Sequence, residues 1–274
     1  MMDTLIAIPY LSIPDLLSHY TKPENFQSIL SNSGKNQEIC FWANSNISKN
    51  DANELKYGKE IYDGVLDYLK SKNKSNYLSE YSNERGSFSI SFTEESSSLY
   101  MIKNYGNLRL DFDLNNIYNK RELQCCEYIT KEEIYDYTKL LINEFENLFN
   151  EMNVFKTTDS HEGNQLVSLV VKQASLDRSV REKIYLIKEK NEWEEEKEWR
   201  KIYYPDDNHP VLYRGNGIPY LKVYLPIACL KKVTLFDVDS INPELSSYQY
   251  KSEFENYIHQ MNWNIPVVVN TLKE

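Results

Sequence analysis

Residues 193–200 read Trp193-Glu194-Glu195-Glu196-Lys197-Glu198-Trp199-Arg200, and their conformation decides which face of the fold carries charge. Side chains of a β-strand alternate, so Glu196, Glu198 and Arg200 share one face if the stretch is extended. The aromatic and β-branched residues that follow favour a strand over residues 198–204. Glutamate and lysine favour a helix, so a helical first half with a solvated acidic face stays an alternative.

Clustered glutamates repel one another unless a cation holds them, and Arg200 is placed to do so. Alternation puts Trp199 on the opposite face, in the core.

A second stretch, residues 17–21, reads Leu-Ser-His-Tyr-Thr. Its His19 precedes a helix, so it is either a core or capping histidine or a contact for a negative group at the helix start. We expect the two stretches to meet in one pocket, lined by His19, Tyr20, Glu196, Glu198 and Arg200.

The remaining chain shows strands and helices without strict alternation, which favours an α+β fold. Residues 87–92 alternate serine with Phe88, Ile90 and Phe92, the pattern of a half-buried strand. Long helices are predicted at 54–70, 131–152, 165–191 and 244–261, and a final strand at 265–269 is placed at a sheet edge by Pro266. No linker rich in Pro, Gly or Ser divides the chain. We therefore predict a single domain over residues 1–274, with a mixed or antiparallel sheet flanked by several long helices.

The net charge of −10 disfavours a broad electrostatic grip on nucleic acid or an anionic membrane. The apolar run in the first twelve residues is far shorter than the roughly 20 residues of a bilayer span, and no cationic start precedes it. We therefore expect a cytoplasmic protein with no membrane partner. The four cysteines, two of them adjacent at Cys125 and Cys126, lack metal or redox spacing and are expected to be buried small hydrophobes.

Common catalytic motifs are absent from the sequence. There is no G-x-x-x-x-G-K-[ST], no G-x-G-x-x-G and no G-x-S-x-G, which argues against P-loop, Rossmann and α/β-hydrolase chemistry. The four histidines form no i, i+4 pair, so we predict no zinc protease site and no metal. The polar residues 50–54, Asn-Asp-Ala-Asn-Glu, are typical of a helix start with an acidic first turn, with a metal or substrate contact as the alternative.

The order of several short motifs resembles the bacterial domain-of-unknown-function family 2971. The resemblance covers about residues 15–236, and leaves a C-terminal helix and edge strand at 237–274 packing on it. Two departures occur, at Leu99-Tyr100, where the family usually has a tryptophan, and at 105–111, where small residues are usual. The motifs that carry the resemblance are His19-Tyr20-Thr21, Phe41-Trp42-Ala43-Asn44, residues 50–54, Ser89-Ile90-Ser91-Phe92 leading to Leu99-Tyr100 and Tyr105-Gly106, and residues 193–200.

The chain also has a more distant resemblance to ADP-ribosyltransferases, in which a histidine, a middle-strand aromatic or serine and a later glutamate surround the nicotinamide end of NAD. On that pattern His19 would hold the adenosine-side ribose or the nicotinamide amide, and the adjacent Tyr20 and Thr21 are further candidate substrate contacts. Ser91, Tyr100 or Tyr105 would fill the middle position, with Arg200 as a further substrate contact. Glu198 or Glu196 would bind the ribose and stabilise the cation that forms as nicotinamide leaves.

The resemblance implies a transferase or glycohydrolase acting on NAD or a related nucleotide, and with it a role as a bacterial toxin or defence effector. NAD would be a substrate, and nucleic acid would enter only as an acceptor. A rival reading, from another class, is a binding or interaction module without catalysis. A nuclease using Asp51, Glu54 and the glutamates on a metal is weaker, because the carboxylates show no metal spacing.

Overall fold

The computed structural model describes residues 12–31, 37–46, 55–79, 86–119, 122–157, 163–237 and 247–271. The chain divides into two compact units. Unit 1 comprises residues 1–10, 49–84 and 126–194, and unit 2 comprises residues 11–48, 85–125 and 195–274. The α+β class is confirmed. The expectation of a single domain over residues 1–274 stays a prediction, and residues 50–54 and His161 lie outside the described residues.

The strands are β1 Leu17–Thr21, β2 Glu38–Ser45, β3 Phe88–Thr93, β4 Leu108–Phe112, β5 Leu123–Cys125, β6 Glu127–Ile129, β7 Ile187–Glu189, β8 Glu198–Tyr203, β9 Leu212–Tyr213, β10 Pro219–Pro226, β11 Leu230–Asp237 and β12 Val267–Thr271. The helices are α1 Phe26–Ser31, α2 Lys56–Ser71, α3 Leu99–Tyr105, α4 Glu133–Thr157, α5 Gly163–Leu186, α6 Lys190–Trp193 and α7 Ser247–Gln260. No helix within these ranges is both long enough and apolar enough to cross a membrane.

Unit 2 is built on one mixed sheet with the order β12-β11-β4-β1-β3-β2-β10-β9. Strand β8 pairs with β3 and β5, so the sheet branches at β3. The pairs are antiparallel except that of β11 with β12, which is parallel. The predicted edge position of the last strand is confirmed, because β12 ends the sheet order.

One face of this sheet is apolar. Along β4 the residues Leu108, Leu110 and Phe112 enter the core and alternate with Arg109 and Asp111 on the other face. The apolar face packs against α1 and α7, whose Phe26 and Phe254 rings stack with centroids 3.8 Å apart. Burial of this face supplies most of the hydrophobic stabilisation of unit 2.

The branch in the sheet leaves a gap on one edge of β3. Strand β8 pairs with β3 along its length. On the other edge β2 pairs with Phe88 and Ser89, while β1 pairs only with Thr93. The carbonyl of Ser91 therefore lies between two strands that diverge from β3.

Unit 1 contains α2, α4, α5, α6 and the parallel pair β6 and β7. Helix α2 packs against both α4 and α5. The sequence predicted one helix over 165–191, but α5 ends at Leu186 and the short strand β7 precedes α6. A helical turn from 190 to 196 follows, as the helical alternative for the first half of residues 193–200 allowed.

Candidate functional site

Glu198 and Arg200 form a buried ion pair at the start of β8. Arg200 donates from Nε to Glu198 Oε1 over 2.9 Å and from Nη2 to Glu198 Oε2 over 2.7 Å. Across the ladder Glu198 lies opposite Thr93 and Arg200 lies opposite Ser91. Strand alternation therefore places both charges, as expected, on one face, and Trp199 on the other. Trp199 is 2% exposed in the apolar core, which confirms its predicted direction.

Glu196 reaches the same region by a different route. It belongs to a 3₁₀ turn, Glu194–Glu196, and not to the strand. Lys197 then takes a left-handed conformation with φ of 40°, which turns the chain into β8. Glu196 is buried, the Tyr105 hydroxyl donates to its carboxylate, and the Thr93 hydroxyl donates to its backbone carbonyl. The expectation that Glu196 is extended is wrong, yet Glu196 is buried, as Glu198 is, and both carboxylates lie near Tyr105.

Tyr105 ends α3 and is 40% exposed, while its hydroxyl reaches the buried Glu196. Burial and then the nearby carboxylates of Glu196 and Glu198 raise the pKa of Tyr105 well above its ordinary value. Tyr100, on the same helix, contributes in the same direction. The structure thus brings one candidate for the middle position, Tyr105, close to the glutamates, and Tyr100 lies near Tyr105 on the same helix.

A second buried ion pair lies on the same face of the sheet. Arg109 Nη2 donates to Asp111 Oδ2 over 3.0 Å, and Ser18 Oγ donates to Asp111 Oδ1 over 2.7 Å. Arg109 Nε lies 2.8 Å from Asp111 Oδ1, but at an angle too bent for a hydrogen bond. These residues were not among the predicted site residues, although the alternation of charge with leucine in β4 was visible in the sequence.

Tyr20 also belongs to this polar face, because it pairs with Arg109 across the ladder of β1 and β4. Its ring stacks on Phe236 with centroids 6.1 Å apart, next to Met101 and Ile102 of α3. Burial raises the pKa of Tyr20 to about 12. Tyr20 therefore packs between the sheet and α3, on the face that carries Glu198.

His19 lies on the opposite, apolar face. Ser18 pairs with Thr93, and Thr93 pairs with Glu198, so these three share a face and His19 points away from it. The His19 ring meets Phe41 edge-on at 5.1 Å, and its Nδ1–H donates to the Ser91 carbonyl over 2.9 Å. Burial lowers the pKa of His19 below its ordinary value. The expectation that His19 and the glutamates line one pocket is therefore wrong, because they lie on opposite faces of the sheet.

Thr21 lies on the same face as His19 and serves the start of the next segment. Its Oγ1 accepts a hydrogen bond from Asn25 Nδ2 over 2.9 Å. Lys22, and not Thr21, occupies the cap position of the 3₁₀ turn that precedes α1, and no side chain caps that turn. The structure therefore groups Glu196, Glu198, Arg200, Ser91, Tyr100, Tyr105 and Tyr20 on one face, and sets His19 and Thr21 apart.

The polar face offers carboxylates and hydroxyls. Within the described ranges, no group of three or more His, Cys, Asp or Glu side chains is arranged to hold a metal ion. Comparisons of the chain with protein-family models, with curated proteins and with solved structures found no match.

Proposed function

We propose that unit 2 acts on NAD or a related nucleotide, as a transferase or glycohydrolase that breaks the bond between ribose and nicotinamide. The observation that carries the proposal is the burial of Glu196 and Glu198, two residues apart, beside the half-exposed Tyr105. Breaking this bond generates positive charge on the ribose ring, and a preplaced carboxylate stabilises that charge. We further propose a role in bacterial toxicity or defence, and a cytoplasmic location.

The two glutamates have different surroundings, and we assign them different roles. Arg200 donates hydrogen bonds to both oxygens of Glu198, which fixes the position of this carboxylate and compensates its charge. The Glu196 carboxylate accepts a hydrogen bond from Tyr105, a residue that is 40% exposed. We therefore assign charge stabilisation to Glu196. Glu198 is a positioning residue, which holds Arg200 beside Ser91.

The test is nicotinamide release by the purified full chain, with NAD affinity measured by calorimetry. Glu196→Gln keeps the shape and one acceptor oxygen but removes the charge. We expect its rate to fall by about a hundredfold or more, with NAD affinity little changed, as for an interaction made mainly in the transition state. Glu195→Gln is the matched control, because Glu195 is the exposed neighbour of Glu196 in the same turn. A wild-type chain that releases no nicotinamide with any acceptor tried contradicts the enzyme proposal.

A binding module without catalysis is the second candidate. It is favoured by the two buried ion pairs, Arg200 with Glu198 and Arg109 with Asp111, in which each charge is already compensated inside the protein. On this reading the chain binds NAD with the same affinity in the wild type and in Glu196→Gln and releases no nicotinamide. Nicotinamide release by the wild type therefore separates the candidates, since both leave NAD affinity little changed in Glu196→Gln.

A further inference from the structure

Strands β2 and β10 of unit 2 carry aromatic rings on the sheet face that is turned away from the apolar core. Alternation along β10 puts Tyr220, Lys222 and Tyr224 on this face, and the ladder sets Trp42 of β2 opposite Lys222. The centroids of the Trp42 and Tyr220 rings lie 4.8 Å apart. Trp42 is 38% exposed and Tyr224 is 44% exposed. The three rings, of Trp42, Tyr220 and Tyr224, form what we call the aromatic platform.

Arg214 lies over one end of the aromatic platform. The turn between β9 and β10 holds it, because its backbone N–H donates to the Ile218 carbonyl over 3.0 Å. Its guanidinium carbon lies 5.2 Å from the centroid of the Trp42 ring and 5.8 Å from that of Tyr220. Its Nη2 donates to Asn44 Oδ1. A guanidinium fixed beside two rings offers a ligand both a plane for stacking and N–H donors for a phosphate.

The two cations of this surface have no acidic partner within the described part of the chain. Arg214 donates to the uncharged Asn44, and Lys222 forms no ion pair with a described side chain. The acidic residue of β2 and β10 is Glu38, which pairs with Pro226 at the opposite end of the ladder from Tyr220. In a chain of net charge −10, uncompensated cations beside exposed rings favour a ligand that is both anionic and flat.

Single-stranded nucleic acid combines these two properties. Its bases stack on aromatic rings and guanidinium planes, while a few cations meet its phosphates. A duplex hides the faces of its bases, and both a duplex and an anionic membrane require many more cations than two. A cationic ligand would meet the charge of Arg214 over the rings. Tyr220 and Tyr224 are about 14 Å apart along the strand, which allows more than one base to stack.

We propose that the aromatic platform, with Arg214 and Lys222, binds single-stranded nucleic acid, with bases stacked on the rings and phosphates on the two cations. The proposal does not rest on the proposed NAD chemistry, because this binding uses neither NAD nor the buried glutamates. Two phosphate contacts predict a slope of about −1.4 for the logarithm of affinity against the logarithm of salt concentration. Such a shallow slope is compatible with an acidic protein, because stacking supplies most of the affinity.

Fluorescence anisotropy of labelled hexauridylate and hexadeoxythymidylate, titrated with the full chain without NAD, tests the proposal. We expect binding with a Kd of about 10–100 µM at low salt, and tighter binding of one probe assigns RNA or DNA. Trp42→Ala should weaken binding by about tenfold, the effect of losing one stacked base, and keep the salt slope. Lys222→Gln should instead reduce the slope by about 0.7, because it removes one phosphate contact.

Two variants outside the aromatic platform are the matched controls. Tyr213→Ala removes a 69% exposed tyrosine that pairs with Pro219 and so lies on the other face of the sheet. Lys231→Gln removes an exposed cation of β11. Both should leave affinity and salt slope unchanged, and circular dichroism checks that every variant is folded.

Three results overturn the proposal. The first is that neither oligonucleotide binds up to the solubility limit of the protein. The second is binding that Trp42→Ala and Lys222→Gln leave unchanged, which places the oligonucleotide elsewhere on the chain. The third is a hairpin duplex or a hexaglutamate peptide that binds as tightly as the single strands, which assigns the surface to charge alone. None of these results bears on nicotinamide release.

Discussion

Single residues in unit 2 show how buried charge is tolerated when it is paired. Arg200 is 1% exposed, yet its guanidinium meets both oxygens of Glu198. Removing one member of such a pair leaves the other charge buried without compensation, which is why Glu198 substitutions mix stability with function. Glu196 accepts from a tyrosine hydroxyl and is the cleaner position at which to test chemistry.

Trp199 should contribute to stability and not to ligand binding. Its indole lies in the apolar core, and Nε1 donates to Glu94 Oε1 over 2.6 Å. We expect Trp199→Ala to lower the free energy of unfolding by about 3–5 kcal/mol, as large core truncations do. Urea unfolding followed by circular dichroism measures the loss. Trp42→Ala, at a 38% exposed tryptophan of β2, should cost only about 1 kcal/mol. Unchanged stability of Trp199→Ala with lost NAD binding would reverse the assignment.

Whole strands explain which parts of the site the sequence predicts. Alternation within β8 correctly separated Trp199 from Glu198 and Arg200, since that pattern is local. Which residues of β1 share a sheet face with Glu198 of β8 depends on the strand register, in which Ser18 pairs with Thr93 and Thr93 pairs with Glu198. A register shift of one residue exchanges the two faces, and no local pattern in residues 17–21 encodes it. For this reason His19 was expected beside the glutamates and lies on the other side of the sheet.

The contact between α2 and α5 depends on a glycine, which the pattern of apolar residues does not reveal. Gly58 of α2 is buried against α5, and a Cβ built on it lies 2.3 Å from the Lys183 carbonyl oxygen and 2.6 Å from the Ile184 Cα. Both obstacles are backbone atoms, so the helices must separate to admit a methyl group. The pattern of residues 54–70 predicted the helix, but the close approach of α5 follows only from the structure.

We therefore expect Gly58→Ala to destabilise unit 1 by about 1–2 kcal/mol. Overpacking costs typically 1–3 kcal/mol, and the gain of about 1 kcal/mol in helix propensity offsets only part of the distortion. Gly64→Ala is the control on the same helix, because the obstacle there is a side-chain atom and not backbone, the Thr138 Cγ2, 2.8 Å from the added Cβ. Thermal unfolding of the two variants should separate them, and equal stability would show that α2 and α5 are not held this closely.

The chain has a net charge of −10, and in the sheet of unit 2 the buried charged side chains of β4 and β8 lie on one face. The apolar face takes in the His19 imidazole among Phe41, Phe92 and the leucine and phenylalanine side chains of β4, while the pairs of Arg200 with Glu198 and of Arg109 with Asp111 lie on the other face. Nδ1 of His19 satisfies the Ser91 carbonyl in the gap between β1 and β2. His19 thus supplies, from the apolar side of the sheet, the hydrogen bond that no described strand gives to the Ser91 carbonyl on this edge of β3. This role explains its burial without any ligand.

The stability of the folded chain should therefore depend on pH through His19. The pKa of His19 is lowered in the folded state, so the unfolded chain binds a proton at pH values where the folded chain does not. The free energy of unfolding is unaffected well above the unfolded pKa of about 6.5 and falls as the pH drops below it, by up to about 1.4 kcal/mol per pH unit, until the folded pKa is reached.

His19→Gln should remove this part of the slope, whatever its effect on the stability at neutral pH. His259→Gln, at an exposed position on α7, should keep the slope. Urea unfolding at a series of pH values above the isoelectric point of about 5.1 measures both. Equal slopes in the wild type and His19→Gln would show that His19 takes up its proton in the folded core, and would contradict its placement among the phenylalanines.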